Sequence, residues 1–364
     1  MTLPPAGARV VVGLSGGVDS SVSALLLKQH GCRVSGLFMV NWTEDEQGYC
    51  TAAEDFQDAR RVCDELDIPL HRVDFSAEYR QRVFERFLAA YRAGRTPNPD
   101  VLCNREVKFQ PFREYALRLG ADFIATGHYA QLHQGRDGPR LLRATDENKD
   151  QTYFLATVER DWLRQVVFPV GHLRKPEVRR LAERAGLPNH ERRDSTGICF
   201  IGERPFREFL AHYLKPDPGP MRDDAGRELG QHDGLMYYTL GQRRGLKIGG
   251  RRGAQQAPWY VIGKDADANA LIVSQDTNHP RLMSSGLITA PFHWIRRPQP
   301  LPAQLCARIR HRQALQDCDG QLLADGRLRL HFAQPQRAVA PGQYAVLYDG
   351  RECLGGGEIE SAAA

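Results

Sequence analysis

Apolar positions along the first 210 residues switch repeatedly between two periods. Val10–Leu14 is a short β-branched run of the kind that makes a buried strand. Ser20–His30 follows with helical spacing and stops at Gly31. Val34–Met39 predicts a second strand. Ala52–Leu66 places Phe56, Ala59, Val62, Cys63 and Leu66 on one helical face. Leu70–Phe75 predicts a third strand, and a long helix runs from about Ala77 to Ala93. A further helix is predicted over Phe109–Leu119 and a strand over Phe123–Thr126. Asp161–Ala185 has helical spacing, with a fresh start at Pro176. Alternation of this kind predicts an α/β fold: a doubly wound parallel sheet with helices on both faces. Ligands of such sheets sit beyond the carboxyl ends of the strands, and Gly13, Met39 and Gly127 follow such ends.

The pattern changes at Leu214–Pro220, where three prolines and a glycine mark a linker. Beyond it the apolar runs are short and separated by turn residues: Trp259–Gly263, Leu271–Ser274, Gln304–Arg310, Leu328–Phe332 and Tyr344–Tyr348. A second break falls at Asn278-His279-Pro280. These breaks divide the 364 residues into an α/β domain at 1–210, a small β domain at 211–278 and a β-barrel at 279–364.

Composition narrows the class. No apolar run approaches a membrane span, and Met1–Arg9 has no apolar core of a secretion signal. The eight cysteines are scattered without a C-x-x-C pair, so the protein motifs call for no metal. That spacing suits a reducing, cytoplasmic setting. Net charge is only +5, but Gln242–Gly253 carries Arg243, Arg244, Lys247, Arg251 and Arg252 with no acid. All but seven of the 49 basic residues are arginine, the side chain that grips phosphate bidentately and stacks on bases. A solvated loop and a polyanion-binding stretch are both open on this ground alone.

Chemistry concentrates in Gly13-Leu14-Ser15-Gly16-Gly17-Val18-Asp19-Ser20. Glycines between a strand and a helix let backbone approach a ligand closely. The first helical amides lack internal partners, and the helix dipole adds roughly half a positive charge. Together they cradle an anion. No lysine follows the glycines, which excludes the GxxxxGK[ST] phosphate loop. Two cysteines have unusual neighbours. Cys103 follows the proline-stiffened Asn98-Pro99-Asp100 and precedes a helical segment, where Arg105 and Lys108 are candidate cations that lower a thiol pKa. Cys199 lies between Gly197 and Gly202. Asp100 reads equally as a base or as the cap of the following turn.

The loop resembles the SGGxDS phosphate loop of ATP pyrophosphatases, which release AMP and pyrophosphate. Joined with Asn98-Pro99-Asp100 and Cys103, Gly127-His128-Tyr129, Lys149-Asp150-Gln151, Ser195–Phe200, Thr239–Arg243 and Pro341–Tyr344, it resembles the bacterial tRNA-specific 2-thiouridylase family over nearly the whole chain. The resemblance implies sulfur transfer to position 2 of a tRNA wobble uridine, with ATP as substrate and Mg2+ beside it. It implies ATP binding by Gly13, Leu14, Ser15, Gly16, Gly17, Val18, Asp19, Ser20, Met39 and Gly127. Asn98, Pro99 and Asp100 would meet the target base. His128, Lys149, Asp150, Gln151, His311, Arg312 and Gln343 would contact tRNA. Cys199 would carry a persulfide loaded by a sulfur-relay protein, and Cys103 would be its partner thiol in a transient disulfide. That bridge needs the two Cα atoms within about 7 Å.

Two other classes compete. An amine-using ligase with the same loop would have no use for Cys103 and Cys199, and an RNA-binding module would leave the nucleotide loop idle. The related 2-thiocytidine enzymes are disfavoured by the missing C-x-x-C pairs, and the 4-thiouridine enzymes by the nine residues ahead of the first strand.

Overall fold

The computed structural model describes residues 3–42, 52–194, 206–248, 257–302 and 304–363. Cys199 with the whole Ser195–Phe200 stretch, Cys50, Arg251 and Arg252 lie outside the described residues.

Five parallel strands form the first sheet, in the spatial order Leu70–Asp74, Arg33–Val40, Arg9–Gly13, Phe123–Ala125, Val166–Val167. Val10, Val11 and Val12 are buried on both faces, which is why this strand reads as an unbroken apolar run. The chain starts in the centre, winds outward to one edge, then returns to the other side. Strand order therefore reverses between Arg9–Gly13 and Phe123–Ala125, and the crevice of this doubly wound sheet opens there. Helices Val18–Gln29 and Lys175–Arg184 pack together over one face.

Three predicted elements change on folding. The long helix is Ser76–Tyr79 and Glu85–Arg92 joined through a π-helical turn at Arg80–Phe84. The helix predicted from Phe109 begins at Pro111, after a π turn at Asn104–Lys108. Asp161–Ala185 is not one helical region. Val166 and Val167 are β-branched, buried, and extended as the fifth strand; only Lys175–Arg184 is α-helix.

The second sheet has four strands, Tyr260–Asp265, Ala270–Ser274, Gly219–Arg222 and Glu228–His232. In the C-terminal region six strands close into a barrel. Met283–Pro291, Arg327–Arg337, Gln316–Leu322, Leu305–Arg308, Tyr344–Asp349 and Glu352–Ala363 pair in that order, and the last returns to the first. A hairpin from the α/β part, Ala130–Gly135 with Gly138–Arg143, extends this sheet through Leu141↔Cys353 and Leu142↔Glu352. No helix among the described residues is long and apolar enough to cross a membrane.

Candidate active site

The phosphate loop occupies the crevice. Gly13 ends its strand, Gly16 turns the chain at φ +76°, and Gly17 caps helix Val18–Gln29 in extended conformation. A Cβ on Gly16 would stand 2.6 Å from the Asp55 carbonyl oxygen. A Cβ on Gly127 would stand 2.7 Å from the Ser20 amide nitrogen, so the neighbouring strand end approaches the helix start only as glycine. Hydroxyls brace the turn. Ser20 and Ser21 each donate to the Gly17 carbonyl at 3.0 Å, and the Ser15 amide donates to Ser20 Oγ. Asn189 Nδ2 donates to Gly16 O at 2.7 Å and to Ser21 Oγ at 2.9 Å, holding the loop from behind. Leu14 and Val18 point into the core and leave only backbone at the crevice, while Met39 is half-buried beside Gly13.

Beside the loop lies a charged network that links distant parts of the chain. Lys175 Nζ donates to both oxygens of Asp19, at 2.7 and 2.8 Å, and pairs with Asp194 at 2.7 Å. Tyr129 donates its hydroxyl to Asp19 at 2.7 Å. Burial, with the Asp19 charge behind it, pushes the Tyr129 phenol far above its ordinary value, so it stays a donor. Lys149 and Arg179 also reach Asp194, at 2.5 and 2.9 Å. Burial alone would raise the Asp194 carboxyl, but the hydrogen bonds and charges of Lys149 and Lys175 hold it down to about 2. Lys175, Asn189 and the link through Asp194 escape the sequence reading. Lys175 stands 156 positions from Asp19, and its only local signal is a proline helix start.

The second group surrounds Asp100. Asn98, not Asp100, caps the short helix Pro99–Cys103, accepting from the Val101 amide, with Pro99 buried at its first turn. The cap reading of Asp100 therefore falls away. Burial raises the Asp100 carboxyl while the charge of Lys108 opposes it. Cys103 is buried and does precede a helical segment, the π turn Asn104–Lys108, but it is itself the last residue of Pro99–Cys103 and helical in φ and ψ, so the chain is helical on both sides and no free helix N-terminus faces its thiol. His128 is buried between the rings of Phe109 and Phe168, with Nδ1 2.7 Å from Thr126 Oγ1. Burial drives its pKa well below 6.5, and Lys108 adds to this, so the ring is neutral. The Lys108 charge thus bears on both Asp100 and His128.

The remaining residues divide by exposure. Arg312 is exposed, and the half-buried His311 lies against Phe154 at 4.3 Å, its pKa lowered by burial. Asp150, Gln151 and Gln343 spend their side-chain groups internally instead. Asp150 is buried against Arg308 at 2.7 Å and Thr152 at 3.0 Å. Gln151 Oε1 accepts from the Tyr129 amide, and Gln343 Nε2 donates to the Thr96 carbonyl. These bonds brace the protein itself; Asp150 is buried, whereas Gln151 and Gln343 are half-buried.

A phosphate cradle at the switch point of a parallel sheet, backed by two β domains, defines a nucleotide-binding α/β protein with appended β modules. Three family models cover it in order: the tRNA methyl transferase HUP domain over residues 8–203, the tRNA methyl transferase PRC-barrel domain over 207–275, and the aminomethyltransferase beta-barrel domain over 284–359. It is 55% identical to tRNA-specific 2-thiouridylase MnmA of Alcanivorax borkumensis, with all of both chains covered. Identity to the protein of the same name is 55% in Methylococcus capsulatus, covering 97% of this chain and 96% of that one. It is 54% in Pseudomonas paraeruginosa, covering 99% and 96%. The chain belongs to the tRNA-specific 2-thiouridylase family.

Proposed function

We propose that this chain is a cytoplasmic tRNA-uridine 2-sulfurtransferase. One combination carries the reading: a phosphate loop and an Asp100–Cys103 segment share a chain with two β domains, and the full-length relatives are named tRNA-specific 2-thiouridylase. Residues 1–210 would activate the base, and 211–278 and 279–364 would hold the RNA. Arg243, Arg244 and Arg312, all exposed, are the phosphate contacts. An anticodon-loop base is unpaired and reaches a pocket at a cost of only a few kcal/mol.

The loop amides and Ser15 would bind the phosphates of ATP, with Gly127 and Met39 flanking the nucleotide. Lys175, released from Asp19, would neutralise the phosphates, and Asp19 suits a magnesium ion carried in on them. The uridine O2 attacks the α-phosphorus, forming an O–P bond and expelling pyrophosphate. Asp100, whose raised pKa suits a base, takes the N3 proton of the uracil. A sulfur-relay protein loads Cys199 as a persulfide. Its terminal sulfur attacks C2, and AMP leaves with the uridine oxygen. Cys103 thiolate then attacks Cys199 Sγ, the persulfide S–S bond breaks, and the thiocarbonyl departs, leaving a Cys103–Cys199 disulfide for a cellular thiol to reduce. In the alternative order Cys103 attacks first, and free sulfide is the nucleophile.

Nucleoside analysis of tRNA from cells lacking this protein tests the reading. Loss of 2-thiouridine, restored by the wild-type gene and not by Cys199→Ser, supports it. Intact 2-thiouridine refutes it.

A further inference from the structure

Both β domains converge on the three residues Gly94–Thr96. Helix Glu85–Arg92 ends in a Schellman turn: Gly94 sits at φ +70°, its amide donates to Tyr91 O, and the Arg95 amide donates to Ala90 O, both at 2.9 Å. From the small β domain, Lys264 Nζ donates to the Gly94 carbonyl at 2.9 Å, and Thr239 Oγ1 lies 3.1 Å from Thr96 Oγ1. From the barrel, Pro341 O accepts from the Thr96 amide at 2.9 Å, and Gln343 Nε2 donates to Thr96 O at 2.8 Å. Gly342 packs so closely that a Cβ there would stand 2.9 Å from Thr96 N. Two residues on, Asn98 caps the helix that carries Asp100 and Cys103.

These bonds reach mostly backbone atoms, so they set where the chain goes rather than what it is. Lys264 is a costly choice for that task. No carboxylate lies within ion-pair distance of it among the described residues, and burial lowers its pKa to about 8. Its place at the C-terminal end of helix Glu85–Arg92 offsets part of that cost. The seam beside it holds a cavity of about 430 Å³, lined by Gly94, Thr96, Leu240, Ile262, Lys264 and Pro341. On the barrel side the close approach of Gly342 helps to fix the register, but on the Lys264 side the cavity leaves that to the hydrogen bonds.

We propose that Lys264 and Thr239 are positioning residues: through Gly94 and Thr96 they set the pitch of the Asp100–Cys103 helix, so that RNA seated on the β domains finds Asp100 and Cys103 aligned. The part played by RNA rests on the sulfurtransferase reading.

Alkylation of the full chain by iodoacetamide, mapped by mass spectrometry, tests the protein half. Cys103 and Cys353 are both buried, and Cys353 serves as the control for general loosening. Lys264→Met raises Cys103 alkylation about tenfold at constant Cys353 alkylation, the scale of one lost hydrogen bond to a charged donor. Thr239→Val raises it about threefold, for a neutral bond. Lys264→Arg keeps a donor and restores slow labelling. In thiolation of an anticodon stem-loop RNA, Lys264→Met lowers kcat about tenfold with KM for RNA unchanged, since the lost alignment affects only the reacting state. Unchanged Cys103 alkylation overturns the proposal, as does Cys353 alkylation rising in step with it in both variants. Absence of 2-thiouridine with the wild-type protein would instead overturn the sulfurtransferase reading, and the alkylation pattern would still decide the positioning role.

Discussion

Lys175→Met removes one cation from between two carboxylates. Lys175 is buried, and its Nζ lies within 2.8 Å of both Asp19 oxygens and 2.7 Å from Asp194. Breaking a buried pair by deleting one partner costs about 3–5 kcal/mol. Both carboxylates are 31% exposed, so water recovers part of that, and about 2–3 kcal/mol remains. For an α/β domain of this size, that lowers Tm by roughly 4–12 °C. Asp194 keeps Lys149 and Arg179, so the carboxylate left without a cation is Asp19; in an Asp19→Asn background that charge is already gone, and the same substitution costs less than half as much. The folded Asp194 carboxyl titrates below its ordinary 3.8, so the network stabilises fully above that value and loses its contribution as pH falls towards about 2. The assay is thermal unfolding of the four proteins of this cycle at neutral pH, with ATP–pyrophosphate exchange alongside. Exchange should fall with Lys175→Met. A Tm change under about 2 °C, or equal losses in both backgrounds, would refute the account of the network.

Other sites give sharper readouts. Gly127→Ala drives a Cβ to 2.7 Å from the Ser20 amide, so the helix start must shift, and ATP affinity measured by titration calorimetry should fall more than about tenfold; retained affinity would remove Gly127 from the nucleotide site. Lys108→Met removes a charge that holds the Asp100 carboxyl down, so the acid limb of kcat/KM should move to higher pH; an unmoved or downward limb would exclude Asp100 as the base. Arg243→Ala with Arg244→Ala should weaken tRNA binding and flatten its salt dependence by about one to two phosphates, read by filter binding across a salt series; an unchanged slope would place both arginines outside the interface.

What could be read from the sequence was local. Val10–Val12 followed by the glycine loop specifies a strand, a turn and a helix start within a dozen positions, and the structure places them together. The barrel strands announce themselves by alternation, as in Leu328, Leu330 and Phe332, all buried. Distant pairings leave no such trace. The hairpin Ala130–Arg143 belongs to the barrel sheet through Glu352 and Cys353, more than 200 positions further along the chain. Val166–Val167 is too short for any period to register. The polar residues of motifs were the least legible. Nothing near Lys149, Asp150, Gln151 or Gln343 in the chain points to their partners within the protein, which are Asp194, Arg308, the Tyr129 amide and the Thr96 carbonyl. Cys103 stands ahead of a helical segment, as its sequence suggests, but the prolines before it hide a five-residue helix that leads into it.

In the proposed reaction the uridine oxygen leaves on AMP. Anticodon stem-loop RNA carrying oxygen-18 at O2 of the wobble uridine, reacted with ATP and a persulfide donor, follows that atom directly by mass spectrometry. Each 2-thiouridine formed should be matched by one labelled AMP. Thiolated RNA accompanied by unlabelled AMP would rule out activation of the uridine oxygen by adenylation.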